Sequence, residues 1–108
     1  MKKDYRIRKN EEFDRIIKMR KSFSSPCFVV YCADRLNDNA RIGISVSKKL
    51  GDAVERNKIK RQLRMMLLDI VDFENCPKDM IVIVRNGYLK NDFIINKTDL
   101  EKIVKAII

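Results

Sequence analysis

Arg56-Asn57-Lys58-Ile59-Lys60-Arg61-Gln62-Leu63-Arg64 sets five cationic side chains around two apolar ones. Ile59 and Leu63 stand four residues apart, the spacing that returns side chains to one side of an α-helix. The pattern continues through Met66, Leu67 and Ile70. At about 100° per residue, Ile59, Leu63, Met66 and Ile70 share one narrow stripe, with Asn57, Lys60, Arg61 and Arg64 on the far side. The stretch predicts a helix that buries one face and shows a dense cationic one, a row of charges suited to regularly spaced phosphates. Asp52 followed by Glu55 fits a helix cap, and Gly51 marks the end of the preceding element. The helix is expected from Ala53 to near Val71. Lys48 and Lys49 lie just before its free N–H groups, a combination that favours bound anions.

Working outward, Arg41 to Ser47 alternates as a strand does. Ile42, Ile44 and Val46 face one way; Arg41, Gly43, Ser45 and Ser47 face the other. That second face is small and polar, so a backbone could approach it closely. Phe28 to Ala33 is β-branched and aromatic and reads as a strand. Met80 to Val84 is continuously apolar, the mark of a strand buried on both faces, and Cys76 to Asp79 before it reads as a loop. Residues 1–9 are expected to be extended. Asn10 is expected to cap a first helix from Glu11 to about Arg20, with Phe13, Ile16 and Ile17 on one side. Thr98 with Glu101 resembles a capping box opening a last helix. The expected fold is an α/β (α+β) two-layer sandwich, a mixed sheet of about four strands with three helices, in the order α-β-β-β-α-β-α. One strand has no firm place and is expected near Lys48–Leu50 or in Asp92–Ile95.

The 108 residues suit one domain. The formal charge of +9 is unevenly spread: residues 1–22 hold nine basic and four acidic groups, and residues 41–64 eight and two. Brought together, these segments would form one basic surface for a polyanion. The N-terminus is charged and lacks the apolar stretch of a secretory signal, and no apolar run approaches a membrane span, so a cytoplasmic location is expected. Cys27, Cys32 and Cys76 have no metal-ligand spacing, and buried or idle thiols are expected. There is no histidine, which excludes His-based nuclease chemistry and Cys/His zinc sites. Asp69, Asp72 and Glu74 read as a polar helix exit, since a two-metal site needs ligands converging from several elements.

Arg56-Asn57-x-x-Lys60-Arg61-x-x-Arg64 resembles the signature of the bacterial ribonuclease P protein family. Arg41 to Lys49 resembles the family's strand before the signature helix, and Ala53-Val54 keeps its spacing. Arg6-Ile7, Asn10 to Phe13, Phe28 to Tyr31 and Asp79 to Arg85 resemble its other segments, in the family's order. The resemblance implies the protein subunit of the ribonucleoprotein that removes the 5′ leader from precursor tRNA. The implied catalyst is the RNA subunit, using Mg²⁺ bound mainly by that RNA, and no catalytic or metal-binding residue is expected on the protein. The implied partners are the catalytic RNA and the precursor tRNA leader, with neither membrane nor DNA. Arg56, Asn57, Lys60, Arg61 and Arg64 would contact the catalytic RNA. Phe13, Ile17, Tyr31, Arg41, Ser45, Lys48 and Lys49 would line or flank a leader cleft between the first helix and the sheet. Ile17 stands where many relatives carry a second aromatic, and an aliphatic chain cannot stack on a base as a π-surface.

Charge alone would also permit a general structured-RNA-binding or ribosome-associated protein. A protein-only nuclease would need Asp69 or Asp72 to act on a metal.

Overall fold

The computed structural model describes residues 1–108. Its elements are α1 (Asn10–Lys18), β1 (Ser22–Ser24), β2 (Phe28–Asp34), β3 (Ile42–Ser45), α2 (Ala53–Ile70), β4 (Lys78–Val84) and α3 (Phe93–Ile107), with short 3₁₀ turns at Lys3–Tyr5, Lys48–Leu50 and Asn86–Lys90. This is the expected order, and the expected α+β class with a mixed four-stranded sheet. The strands lie in the order β1-β2-β4-β3. β1 and β4 run antiparallel to β2, and β3 runs parallel to β4. The parallel pair needs a crossover, which α2 supplies.

Alternation along the strands decides what covers each face. Phe28, Val30 and Cys32 of β2, with Met80, Val82 and Val84 of β4, enter the main core together with Ile59, Leu63, Met66 and Leu67 of α2 and Leu100, Ile103, Val104 and Ile107 of α3. The intervening Ala33 and Ile81 face the other way, into a small cluster with Ile7 and with Ile16 of α1. The sheet thus carries two helices on one face and a single nine-residue helix on the other. β4 is sandwiched between both layers, which accounts for its unbroken apolar run.

α2 begins and ends close to the sequence expectation. Asp52 accepts a hydrogen bond from the Glu55 N–H at 2.9 Å, the reach of an N-cap. Gly51 holds φ at 142°, open to glycine and strained for other residues, and so separates the Lys48–Leu50 turn from the helix.

Several expectations are corrected. The fourth strand is Ser22–Ser24, a three-residue edge strand paired to Tyr31, Val30 and Val29. Lys48–Leu50 is a 3₁₀ turn, and Asp92–Ile95 opens α3. The cap of α3 is Asp92, which accepts from the Ile95 N–H; Thr98 lies within the helix and donates its hydroxyl to the Ile94 carbonyl. α1 starts at Asn10 itself, with Lys9 at the N-cap and no side-chain cap bond. β4 starts two residues early, at Lys78. Cys27, just before β2, and Cys32 enter the same core. All three cysteines are buried free thiols. Residues 3–5 form a turn, and only Arg6 pairs with a strand residue, Ile42.

Candidate nucleic-acid interface

The buried stripe of α2 fixes the positions of its charges. Ile59, Leu63, Met66 and Leu67 are sealed in the core. Asn57 and Arg61 are exposed on the far side, whereas Arg56, Lys60 and Arg64 flank the stripe and are half-buried. The cationic surface is therefore a band running from the shoulder of the helix over its crest, rather than a face opposite the core. No cation of α2 lies within ion-pair distance of an acid. Burial, followed by the charges of Arg6 and Arg8, pulls the Arg64 guanidinium below its ordinary value. The two basic segments of the sequence do meet: Arg6 and Arg8 line one cavity with Lys60 and Arg64. Their local spacing carried no signal of that meeting, because only the pairing of the N-terminal segment with β3 brings it about.

On the opposite face of the sheet, Phe13 and Tyr31 are half-buried and pack on the small cluster, with Ile83 beside them. Gly43 supplies the close approach that the small face of β3 suggested. It admits a ring rather than a backbone: a Cβ there would lie 2.6 Å from Phe13 Cζ and 2.8 Å from Ile81 Cδ1. Ile17 and Ser45 are also half-buried. The face thus offers apolar and aromatic surface beside a small polar side chain, a combination that accepts unstacked bases.

The flanking cations divide into free and engaged. Lys48 and Lys49 are exposed and unpaired, but the anion-favouring first turn of α2 already holds the Asp52 carboxylate. Arg41 is engaged: its guanidinium pairs with Glu12 of α1 and lies 3.9 Å from Asp79. Asp79, fully buried, also accepts from the Arg41 N–H at 2.9 Å and from Arg15 of α1 at 3.1 Å. Burial pushes the Asp79 carboxyl above its ordinary value; the Arg41 backbone bond and the Arg41 and Arg15 charges pull it back only in part. Asp79, Arg15 and Glu12 were not singled out from the sequence, since no local spacing links them. Together they clamp α1 to the starts of β3 and β4.

The three acids after α2 have separate partners: Asp69 with Lys97, Asp72 with Asn75 and Glu74 with Tyr5. No group of three or more carboxylate, thiol or imidazole side chains converges on one position. No helix is long and apolar enough to cross a membrane.

The family model for ribonuclease P matches residues 1–108. The chain is 41% identical over 108 residues to a ribonuclease P protein component of Mycoplasma mycoides, covering 99% of each chain. It is 42% identical over 107 residues to that of Listeria welshimeri, covering 98% of this chain and 90% of the other. Among solved structures, the Staphylococcus aureus RNase P protein superposes with a TM-score of 0.84 at 40% identity, over 95% of this chain and 94% of that one. The Thermotoga maritima RNase P protein gives 0.80 at 30% identity, over 94% and 96%.

Proposed function

The chain belongs to the ribonuclease P protein family, a protein subunit of the enzyme that removes the 5′ leader from precursor tRNA, and from that premise we propose how its two surfaces divide the work. α2 holds the catalytic RNA through Arg56, Asn57, Lys60, Arg61 and Arg64. The opposite face of the sheet holds the leader, with Phe13, Ile17 and Tyr31 as its apolar floor and Ser45, Lys48 and Lys49 at its edge. Arg41, bound to Glu12 and Asp79, acts as a support of that floor rather than as a free cation. The observation that carries the reading is the cationic band of α2, which has no acidic partner within the protein. Guanidinium groups left unpaired in a fixed row suit phosphate oxygens.

Bond cleavage falls to the RNA subunit, where Mg²⁺ would supply the activated nucleophile and stabilise the leaving oxygen. The protein contributes binding and orientation, in a cytoplasmic ribonucleoprotein. The first test is cleavage of precursor tRNA at low Mg²⁺ by a bacterial ribonuclease P RNA, with and without this protein. Strong stimulation at the mature 5′ end, with the protein inert alone, is expected. No stimulation by the folded protein would overturn the division of work. For α2, Arg61→Ala should flatten the slope of log K against log salt by about 0.7–0.9 for its lost phosphate; an unchanged slope would remove that residue from the interface.

A further inference from the structure

α1 rests on the sheet through a single fully buried side chain, Ile16, and no side chain caps its first turn. At about 100° per residue, Glu12 and Arg15 fall on one flank of Ile16, and Phe13 and Ile17 on the other. Different forces hold the two flanks. On the Phe13 flank the contact is apolar: the ring lies against Gly43, where a Cβ would meet Cζ at 2.6 Å, and packs on the small cluster. Apolar attraction has no preferred direction, so alone it leaves a nine-residue helix free to roll.

On the other flank the contacts are directional. Asp79 shares the α1 face of β4 with Ile81 and Ile83, yet it is a carboxylate and fully buried. One of its oxygens accepts from the Arg41 N–H at 2.9 Å, and the other from the Arg15 guanidinium at 3.1 Å. The Arg41 guanidinium, 3.9 Å from that second oxygen, pairs with Glu12. Glu12 and Arg15 are three residues apart and neighbours on the helix surface, so α1 is tied to the sheet at two adjacent points. For stability alone a buried carboxylate is a poor choice, because its desolvation cost would not fall on an apolar side chain of similar volume. What its hydrogen bonds supply is a fixed geometry.

We propose that Asp79 is a positioning residue for leader binding: through Arg15, and through Arg41 and Glu12, it sets the roll of α1 and so seats the Phe13 ring over Gly43. The inference rests on the reading of the α1 face as the leader cleft and names what gives that cleft its shape. Asp79 lies beneath the helix and acts on the leader only through the ring.

The test is a double-mutant cycle in holoenzyme assembled with bacterial ribonuclease P RNA, using Asp79→Asn, Phe13→Ala and the pair. The readout is the ratio of affinities for precursor and mature tRNA. Asp79→Asn keeps an acceptor for the Arg41 N–H and removes the charge that holds Arg15. It should lower the ratio roughly fivefold, the low end for one lost base stack, with binding of the protein to the catalytic RNA unchanged. In the Phe13→Ala background Asp79→Asn should cost nothing more, since no ring remains to be seated. A full further loss there, or equal losses for precursor and mature tRNA, would overturn the proposal. Arg15 has a third of its side chain exposed and can be changed with little risk to folding. Arg15→Met should lower the ratio and Arg15→Lys restore it; were Asp79→Asn to unfold, this pair would decide alone. The log K–log salt slope for precursor tRNA should be unchanged in Arg15→Met, whereas a slope flatter by about 0.7 would make Arg15 a phosphate contact instead. In the free protein, the nuclear Overhauser effect between the Phe13 ring and the Gly43 α-protons should weaken in Asp79→Asn and Arg15→Met. An undiminished effect would show that the ring keeps its seat without the network, against the proposal. Phe13→Ala alone separates the two levels of inference. If it leaves the ratio unmoved, the leader-cleft reading fails as well; if it lowers the ratio and Asp79→Asn does not, only the positioning role fails.

Discussion

Under α2 and α3, Phe28, Val30, Met80 and Val82 are sealed from solvent, whereas under α1 the rings of Phe13 and Tyr31 stay half-buried around a four-residue cluster. The difference begins with helix length. α2 and α3 run 18 and 15 residues and cover their side of the sheet. α1 has nine and cannot cover its side. What holds α1 in place is correspondingly different: the buried carboxylate of Asp79 ties Arg15 of α1 to the sheet, and Arg41, just before β3 and also beside Asp79, pairs with Glu12 of α1. One face spends its apolar surface on stability. The other leaves apolar surface open and anchors its helix by charge, which lets the same side chains serve a ligand.

Paired truncations should break that comparison if it is wrong. Leu63→Ala, in the sealed core, should cost about 3 kcal/mol in urea unfolding and shift leader affinity little. Phe13→Ala should cost only about 1–2 kcal/mol, because its ring is half-buried, yet weaken leader binding strongly. Equal stability losses at both positions, with leader affinity unmoved by Phe13→Ala, would make the two faces alike.

The charge anchor comes next in size. Asp79→Ala strands the Arg41 N–H and the Arg15 guanidinium, while the Arg41 guanidinium keeps Glu12; Asp79→Asn retains an acceptor for that N–H. The Ala variant should therefore be less stable than the Asn variant by about 1–3 kcal/mol, the cost of an unsatisfied buried donor. The pH dependence has a definite sign. With its pKa raised in the folded state, Asp79 binds its proton more tightly folded than unfolded. Its favourable contribution is thus complete below the ordinary value of 3.8 and is lost as pH rises through the raised pKa. Asp79→Asn should flatten the stability–pH curve in that window; an unchanged curve would show that Asp79 titrates as it does in the unfolded chain.

How far the sequence reveals each face follows from how local its determinants are. The α2 side was legible: a 3.6-residue stripe, a cap at Asp52 and a glycine before it all lie within one segment. β4 was legible from its apolar run, and a close approach at the small face of β3 from its alternation, although what approaches Gly43 is the Phe13 ring and not a backbone. The α1 side was legible in outline only. Arg41 reads as a free cation until Asp79, 38 residues on, is folded against it. β1 has three residues and exists only because β2 offers its edge. The start of α3 was displaced because Phe93-Ile94-Ile95 is bulky and β-branched, which favours strand, while Thr98 and Glu101 imitated a cap. Arg6 and Arg8 could have been found from the alternation of Arg6-Ile7-Arg8, had the segment been read as pairing with β3.

Gly43→Ala should sharpen the comparison with a smaller effect. The new Cβ would press on the tip of the Phe13 ring and on Ile81 Cδ1, both side-chain ends able to move. The expected cost is about 1 kcal/mol, the low end for overpacking. The ring's outward shift should lower leader affinity while binding to the catalytic RNA is unchanged. Equal losses of both affinities would mean that the α1 face and α2 do not act separately.

The smallest effect is expected at Ile17, and there the sign matters more than the size. Ile17 sits one turn beyond Phe13 on α1 and is half-buried. An aliphatic side chain there adds contact area to a base but no π-face. Ile17→Phe should add one, worth about 1 kcal/mol at the low end for base stacking, or roughly fivefold in leader affinity. The added volume meets solvent rather than core, so unfolding should move little. The readout is the difference between precursor tRNA and mature tRNA binding by the holoenzyme, which isolates the leader. A gain confined to the precursor places Ile17 on the ligand side of α1. No gain in a variant of unchanged stability would turn that side chain away from the leader and leave Phe13 and Tyr31 as the only rings of the cleft.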